Sequence, residues 1–103
     1  NQDDTFFEAY CQTGQILQFK YNELDSALYY YSKVVENDKN HLDAYVNMGI
    51  AYQDKGDITN ALKNFALALA IKPEERNPMV SLNQFNEQQS MARERADQLK
   101  KKL

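Results

Sequence analysis

The chain has three glycines, two prolines, one cysteine, one histidine and no tryptophan among its 103 residues. Each scarcity excludes something. With so little glycine and proline, little of the chain is free to be loop. A single cysteine, Cys11, excludes an internal disulfide and a cysteine-built zinc cage. His41 has no histidine or cysteine near it in sequence, so no metal site is expected. Three isolated glycines do not make a phosphate-binding loop. No apolar run approaches the roughly 20 residues that span a bilayer, and no signal peptide or basic targeting segment is present. The first residue is Asn1, so the chain is expected to be an excised or processed piece, and its start says nothing of compartment. The catalytic constellations are missing as well. A cysteine nucleophile needs a base and an electropositive setting, and nothing in the sequence brings His41 to Cys11. No enzyme activity and no cofactor are expected.

What the chain has instead is helical periodicity. Residues 42–73 organise the rest. Tyr45, Met48, Ala51 and Tyr52 recur at three- and four-residue steps, as do Ile58, Ala61, Leu62, Phe65, Ala68 and Leu69, so each set shares one helix face. Between them Gly56 suits a left-handed helix end, and Asp57 suits an N-cap. Pro73 ends the second helix. Glycine inside a helix costs ~1 kcal/mol relative to alanine, so Gly49 calls for close approach of the neighbouring helix, with Ala61 and Ala68 opposite.

The same pattern precedes this stretch. A first helix runs from about Thr5 to Lys20, with Thr5 and Glu8 spaced as a capping box, and a second from about Leu24 to Asn37. Leu24 and Ile58, Ala27 and Ala61, Tyr31 and Phe65, and Val34 and Ala68 are each 34 residues apart, whereas Gly14 and Gly49 are 35 apart. One extra residue in the turn Phe19 to Glu23 accounts for the difference, with Asn22 taking the left-handed position that Gly56 takes later. Asn40 is the expected cap of the third helix. Tyr31 belongs to the buried stripe, Tyr30 is expected between repeats, and Tyr29 in solvent.

After Pro73 the pattern changes. Asn77 as cap and Pro78 at the first helical position predict a helix from there to Leu103, continuous or broken near Ser90. Leu82, Phe85, Gln89, Ala92, Ala96, Leu99 and Leu103 form a heptad-like seam. Residues 1–92 hold seven Lys and Arg against thirteen Asp and Glu, and residues 93–103 hold five against two. The basic end reads as lysines solvated near a helix C-terminus. The acidic body argues against nucleic acid.

Tyr45-x2-Met48-Gly49-x2-Tyr52, then Ala61-x3-Phe65, then Pro73, resembles the tetratricopeptide repeat. That family's pattern is W-x2-L-G-x2-Y, A-x3-F and P on a 34-residue period. Tyrosine and methionine stand in the tryptophan and leucine slots. The first repeat matches more loosely, with Lys39 in the proline slot. The resemblance implies an all-α fold: an α-solenoid of two helix hairpins, about 7–41 and 42–75, with a long C-terminal capping helix at about 77–103, in one domain.

The resemblance further implies a concave groove, lined by the first helix of each repeat, that binds a peptide or protein segment. The residues in groove-facing slots are Asp43, Val46, Asn47, Ile50, Gln53 and Asp54. The first repeat adds Glu8, Cys11, Gln15, Gln18 and Phe19, and the last helix adds Asn77, Val80, Gln84 and Gln88. Val46, Ile50 and Phe19 are its apolar spots. The carboxylate clamp of the family's chaperone-binding branch is not expected, because its lysine and arginine slots hold Cys11, Asn77 and Ser81 here. The expected role is a non-enzymatic adaptor or scaffold with a protein or peptide partner, no nucleic acid and no membrane insertion. The alternative is a structural segment that forms homo-oligomers through the C-terminal seam.

Overall fold

The computed structural model describes the backbone of residues 4–103 and the side chains of residues 7–103. Among these residues five α-helices follow one another: α1 (Asp4–Phe19), α2 (Leu24–Asn37), α3 (Leu42–Lys55), α4 (Ile58–Ala70) and α5 (Leu82–Lys100), with a 3-10 turn at Pro73–Glu75. The Thr5–Glu8 capping box lies outside the described residues. Helices α1 and α2 pair as one hairpin, α3 and α4 as a second, and α5 packs on both members of the second. Helix α3 also touches α1 and α2, so α1, α3 and α5 form one layer with α2 and α4 behind it.

The turns follow the sequence signals. Gly56 is left-handed (φ 83°); its N–H donates to the Gln53 carbonyl, and that of Asp57 to the Tyr52 carbonyl, which satisfies two otherwise unpaired acceptors. Asp57 caps α4 by accepting from the Asn60 N–H at 3.1 Å. In the first hairpin Asn22 is left-handed (φ 56°), and the closing bond runs from the Glu23 N–H to the Leu17 carbonyl at 2.7 Å. Glu23 is six residues beyond Leu17, whereas Asp57 is five beyond Tyr52, so the extra residue sits in that turn.

The two interior glycines have a shared cause. A Cβ on Gly49 would stand 2.5 Å from Cε1 of Phe65, and one on Gly14 would stand 2.7 Å from Cε1 of Tyr31. The nearest neighbour is thus an aromatic ring of the partner helix, not its backbone. Both rings are fully buried, as are Ala27, Ala61 and Ala68, and burying each such ring stabilises by about 1.5–3 kcal/mol. The interior falls into two clusters. One holds Cys11, Ala27, Tyr31, Val34, Ala44 and Met48. The other centres on Phe65 and includes Tyr45, Val46, Ile50, Phe85, Ala92, Ala96 and Leu99.

Three local expectations are corrected. His41, not Asn40, caps α3: its Nδ1 accepts from the Ala44 N–H at 3.2 Å, while the Asn40 N–H donates to the Asp38 carboxylate. Tyr30 packs within the first hairpin, edge-to-face on Tyr10 at 5.5 Å between centroids, rather than between repeats. Helix α5 begins at Leu82, not Pro78, and ends at Lys100. Asn77 instead closes a local turn, its Oδ1 accepting from the Met79 N–H. Arg76 holds the segment by donating to the carbonyls of Val80 and Pro73. The helix then starts at a capping box made by Ser81 and Gln84. As expected of a capping helix, α5 uses its seam inside the chain: Phe85, Ala92, Ala96 and Leu99 are buried against α3 and α4. Only its ends, Leu82 and Leu103, are exposed. The helix is continuous through Ser90.

Candidate interaction groove on the α1, α3 and α5 layer

Asp43, Asn47, Ile50 and Asp54 lie at four- and three-residue steps along α3 and so share one stripe. With Val46 and Gln53 they form the predicted groove face of the second repeat. The structure divides them. Asp54 is exposed, and Asp43 and Asn47 are half-buried, so these three present polar groups at the surface. Val46 and Ile50 are 1% and 8% exposed and pack in the cluster that holds Phe85, Ala92, Ala96 and Leu99 of α5. They are interior residues rather than accessible apolar spots, because α5 docks on α3 where an open groove was expected.

Two polar bridges tie the layer together. Tyr31 donates its hydroxyl to Gln18 Oε1 at 2.7 Å, and Gln18 Nε2 donates to the Asn47 carbonyl at 3.0 Å. Gln18 is 4% exposed, yet both ends of its amide are satisfied, as a buried amide requires. Thirty-five residues on, Gln53 does the equivalent: its Oε1 accepts from Arg95 Nη1 of α5 at 3.1 Å. Each glutamine therefore contacts the next helix of the layer. Gln18, with both ends of its amide engaged, is not available to a ligand without breaking that contact.

On α1, Gln15 is half-buried, and Phe19 is 61% exposed, which leaves Phe19 as the accessible apolar member of the set. Glu8 is exposed and Cys11 is buried. Burial pushes the Cys11 thiol up to about 12, with the carboxylates of Glu8 and then Asp43 adding to the effect. The thiol is held protonated at neutral pH, which is the opposite of what an activated nucleophile needs. Of the α5-side residues, Val80 packs against the second cluster, Gln84 is used in the capping box, Asn77 in its turn, and Gln88 is half-buried. Sequence reasoning missed Arg95, whose reach to Gln53 depends on where α5 docks.

Residues 42–75 match the family model described as "Tetratricopeptide repeat". The chain is also similar to the mouse (Mus musculus) "Tetratricopeptide repeat protein 14", 37% identical over 59 residues that make up 57% of this chain and 8% of that relative. The chain thus spans a small part of the relative it matches. The repeated ring-on-glycine contact, the left-handed turns at Asn22 and Gly56 and these two matches agree in supporting a tetratricopeptide repeat assignment, with the matched repeat at residues 42–75.

Proposed function

We propose that the chain is a non-catalytic interaction module that binds a protein or peptide segment along the α1, α3 and α5 layer. Tetratricopeptide repeats in general serve protein–protein interaction. The observation that carries the reading is the line of accessible groups, Asp43, Asn47 and Asp54 on α3 beside Gln15 and Phe19 on α1, mounted on helices that the Gln18 and Gln53 bridges hold together. The face is polar and acidic with one exposed aromatic ring, and its backbone needs no ordering before a segment binds. Adaptor or scaffold roles follow from such a face. The alternative of self-association through the α5 seam is not favoured, because four of its apolar members are already buried within the chain.

Photo-crosslinking tests the assignment. A crosslinker at Asp43, Asn47 or Asp54 is expected to trap a partner, and one at Thr59 or Lys63, exposed on α4, is not. Equal trapping at both sets, or binding that survives Asp43→Lys with Asp54→Lys, overturns it.

A further inference from the structure

The connectors between helices are unequal. Those at 20–23, 38–41 and 56–57 run two to four residues, whereas the one at 71–81 runs eleven. Ile71 is buried and Val80 packs against the second cluster, but residues 72–75 and 77–79 between them are exposed. This stretch is organised by bonds within itself. Arg76 is its staple: Nε donates to the Val80 carbonyl and Nη1 to the Pro73 carbonyl, both at 2.9 Å. The staple turns the chain back, so that α5 lands on the hairpin it has just left. Beyond it α5 starts on its own capping box, Ser81 with Gln84. The joint that α5 then makes is mainly apolar, with Phe85, Ala92, Ala96 and Leu99 in the second cluster. Two polar contacts accompany it. Gln89 Nε2 donates to the carbonyls of Ala68 and Ile71, at 3.2 and 2.8 Å, at the end of α4, and Arg95 donates to Gln53. Helix-end carbonyls, an amide and a guanidinium all bond to water once α5 lifts, so undocking orphans no polar group. What it bares is apolar, Val46 and Ile50 on one side and Phe85 and Leu99 on the other, and that surface drives redocking.

We infer that α5 is an exchangeable element. It docks on α3 and α4 of its own chain or, with the connector extended, on those of a second copy, which gives its own α5 in return. The second copy is the occupant because it carries both halves of the joint, and exchange remakes between chains every contact just described. Extended, residues 72–81 span about 33 Å. That exceeds the two shorter dimensions of the molecule, 30 and 21 Å, so α5 reaches a neighbour. The seam from Phe85 to Leu99 stays buried in either form, which distinguishes exchange from association through a free seam. The balance between the two forms rests on the connector. Tethering presents α5 to its own face at an effective concentration on the order of mM, and the Arg76 staple adds to that by holding the turn. Losing the staple, or shortening the connector until α5 no longer folds back, moves the balance to the dimer.

The test uses the full chain with Cys11→Ala, Gln53→Cys and Arg95→Cys, and a short bismaleimide to join the two new thiols. Protein held at ~1 mM is diluted and separated by size exclusion, and each fraction is crosslinked. The monomer is expected to crosslink within one chain. The dimer is expected to give covalently joined chains on a denaturing gel, because each bridge then links α3 of one copy to α5 of the other. Adding Arg76→Ala is expected to raise the dimer fraction several-fold, and deleting Asn77, Pro78 and Met79 to make the dimer the main species. Absence of a dimer from all three chains at that concentration overturns the inference. So does a dimer whose crosslinks stay within one chain, which assigns association to another surface, and so does a dimer fraction that Arg76→Ala leaves unchanged. Where the deletion chain lacks helical circular dichroism, the Arg76→Ala chain alone decides.

Discussion

The edge of the Phe65 ring occupies the space that a Cβ on residue 49 would need, 2.5 Å from it. Tyr31 stands in the same relation to Gly14, at 2.7 Å. The contact fixes how far apart the two helices of each hairpin sit, and it gives the most direct test of the fold.

Gly49→Ala is expected to destabilise despite alanine's better helix propensity. The propensity gain is ~1 kcal/mol. Phe65 is fully buried and has no room to swing away, so overpacking costs about 1–3 kcal/mol and outweighs the gain. In a double-mutant cycle by urea denaturation, Phe65→Leu is expected to recover part of the loss, with a coupling of about 0.5–3 kcal/mol. A Gly49→Ala protein more stable than the parent contradicts the contact.

Gln18→Leu is expected to cost about 1–3 kcal/mol, because it leaves the buried Tyr31 hydroxyl without its acceptor. Adding Tyr31→Phe removes the orphaned group and recreates the aromatic that the second hairpin uses at Phe65. The double variant should melt above the Gln18→Leu single. Additive losses in chemical denaturation would show that the hydroxyl is satisfied elsewhere.

Stability is expected to fall as pH rises from about 9 toward 12. Cys11 has its folded value raised to about 12 from an ordinary 9.0. Between those values the unfolded chain releases a proton that the folded chain retains, which favours unfolding by up to about 1.4 kcal/mol per pH unit. Below pH 9 both states hold the proton, and the term vanishes. Cys11→Ala should therefore flatten the alkaline limb of a Tm–pH profile relative to the parent. Identical limbs would mean that the thiol titrates freely in the folded protein.

Asn22 and Gly56 do the same job at different cost. Asn22→Ala places a less tolerant residue at φ 56° and is expected to lose about 1–2 kcal/mol. Asn22→Gly should be neutral or better. Equal melting temperatures for the two variants would show that the turn relaxes out of the left-handed region.

Much of this was readable from residue order. The bounds of α2, the phase of Ala27 against Ala61 and the extra residue near Asn22 follow from periodicity and turn chemistry, both short-range. Choices between two valid local signals were not readable. Asn77-Pro78 and Ser81-x-x-Gln84 are both helix starts; the second is used because Arg76 holds Pro73 and Val80 in a turn. Likewise, the shared α3 stripe of Asp43 and Asp54 follows from helical spacing, but the burial of Val46 and Ile50 depends on where α5 docks. That docking is a long-range event with no local sequence signature. Gln18 looked like a surface residue by type, and its burial is tolerated only because Tyr31 and Asn47 complete its amide.

The closing bond from Glu23 to Leu17 spans one residue more than that from Asp57 to Tyr52, so the first hairpin absorbs an added residue without displacing Gly14 from Tyr31. Helix pairing here is governed by the interior contact and not by connector length. The exposed stretch from Tyr21 to Glu23 is thus the place where the molecule best accommodates an epitope tag or a fluorophore. The connector at Gly56, closed one residue sooner between Tyr52 and Asp57, has less length to accommodate such an addition.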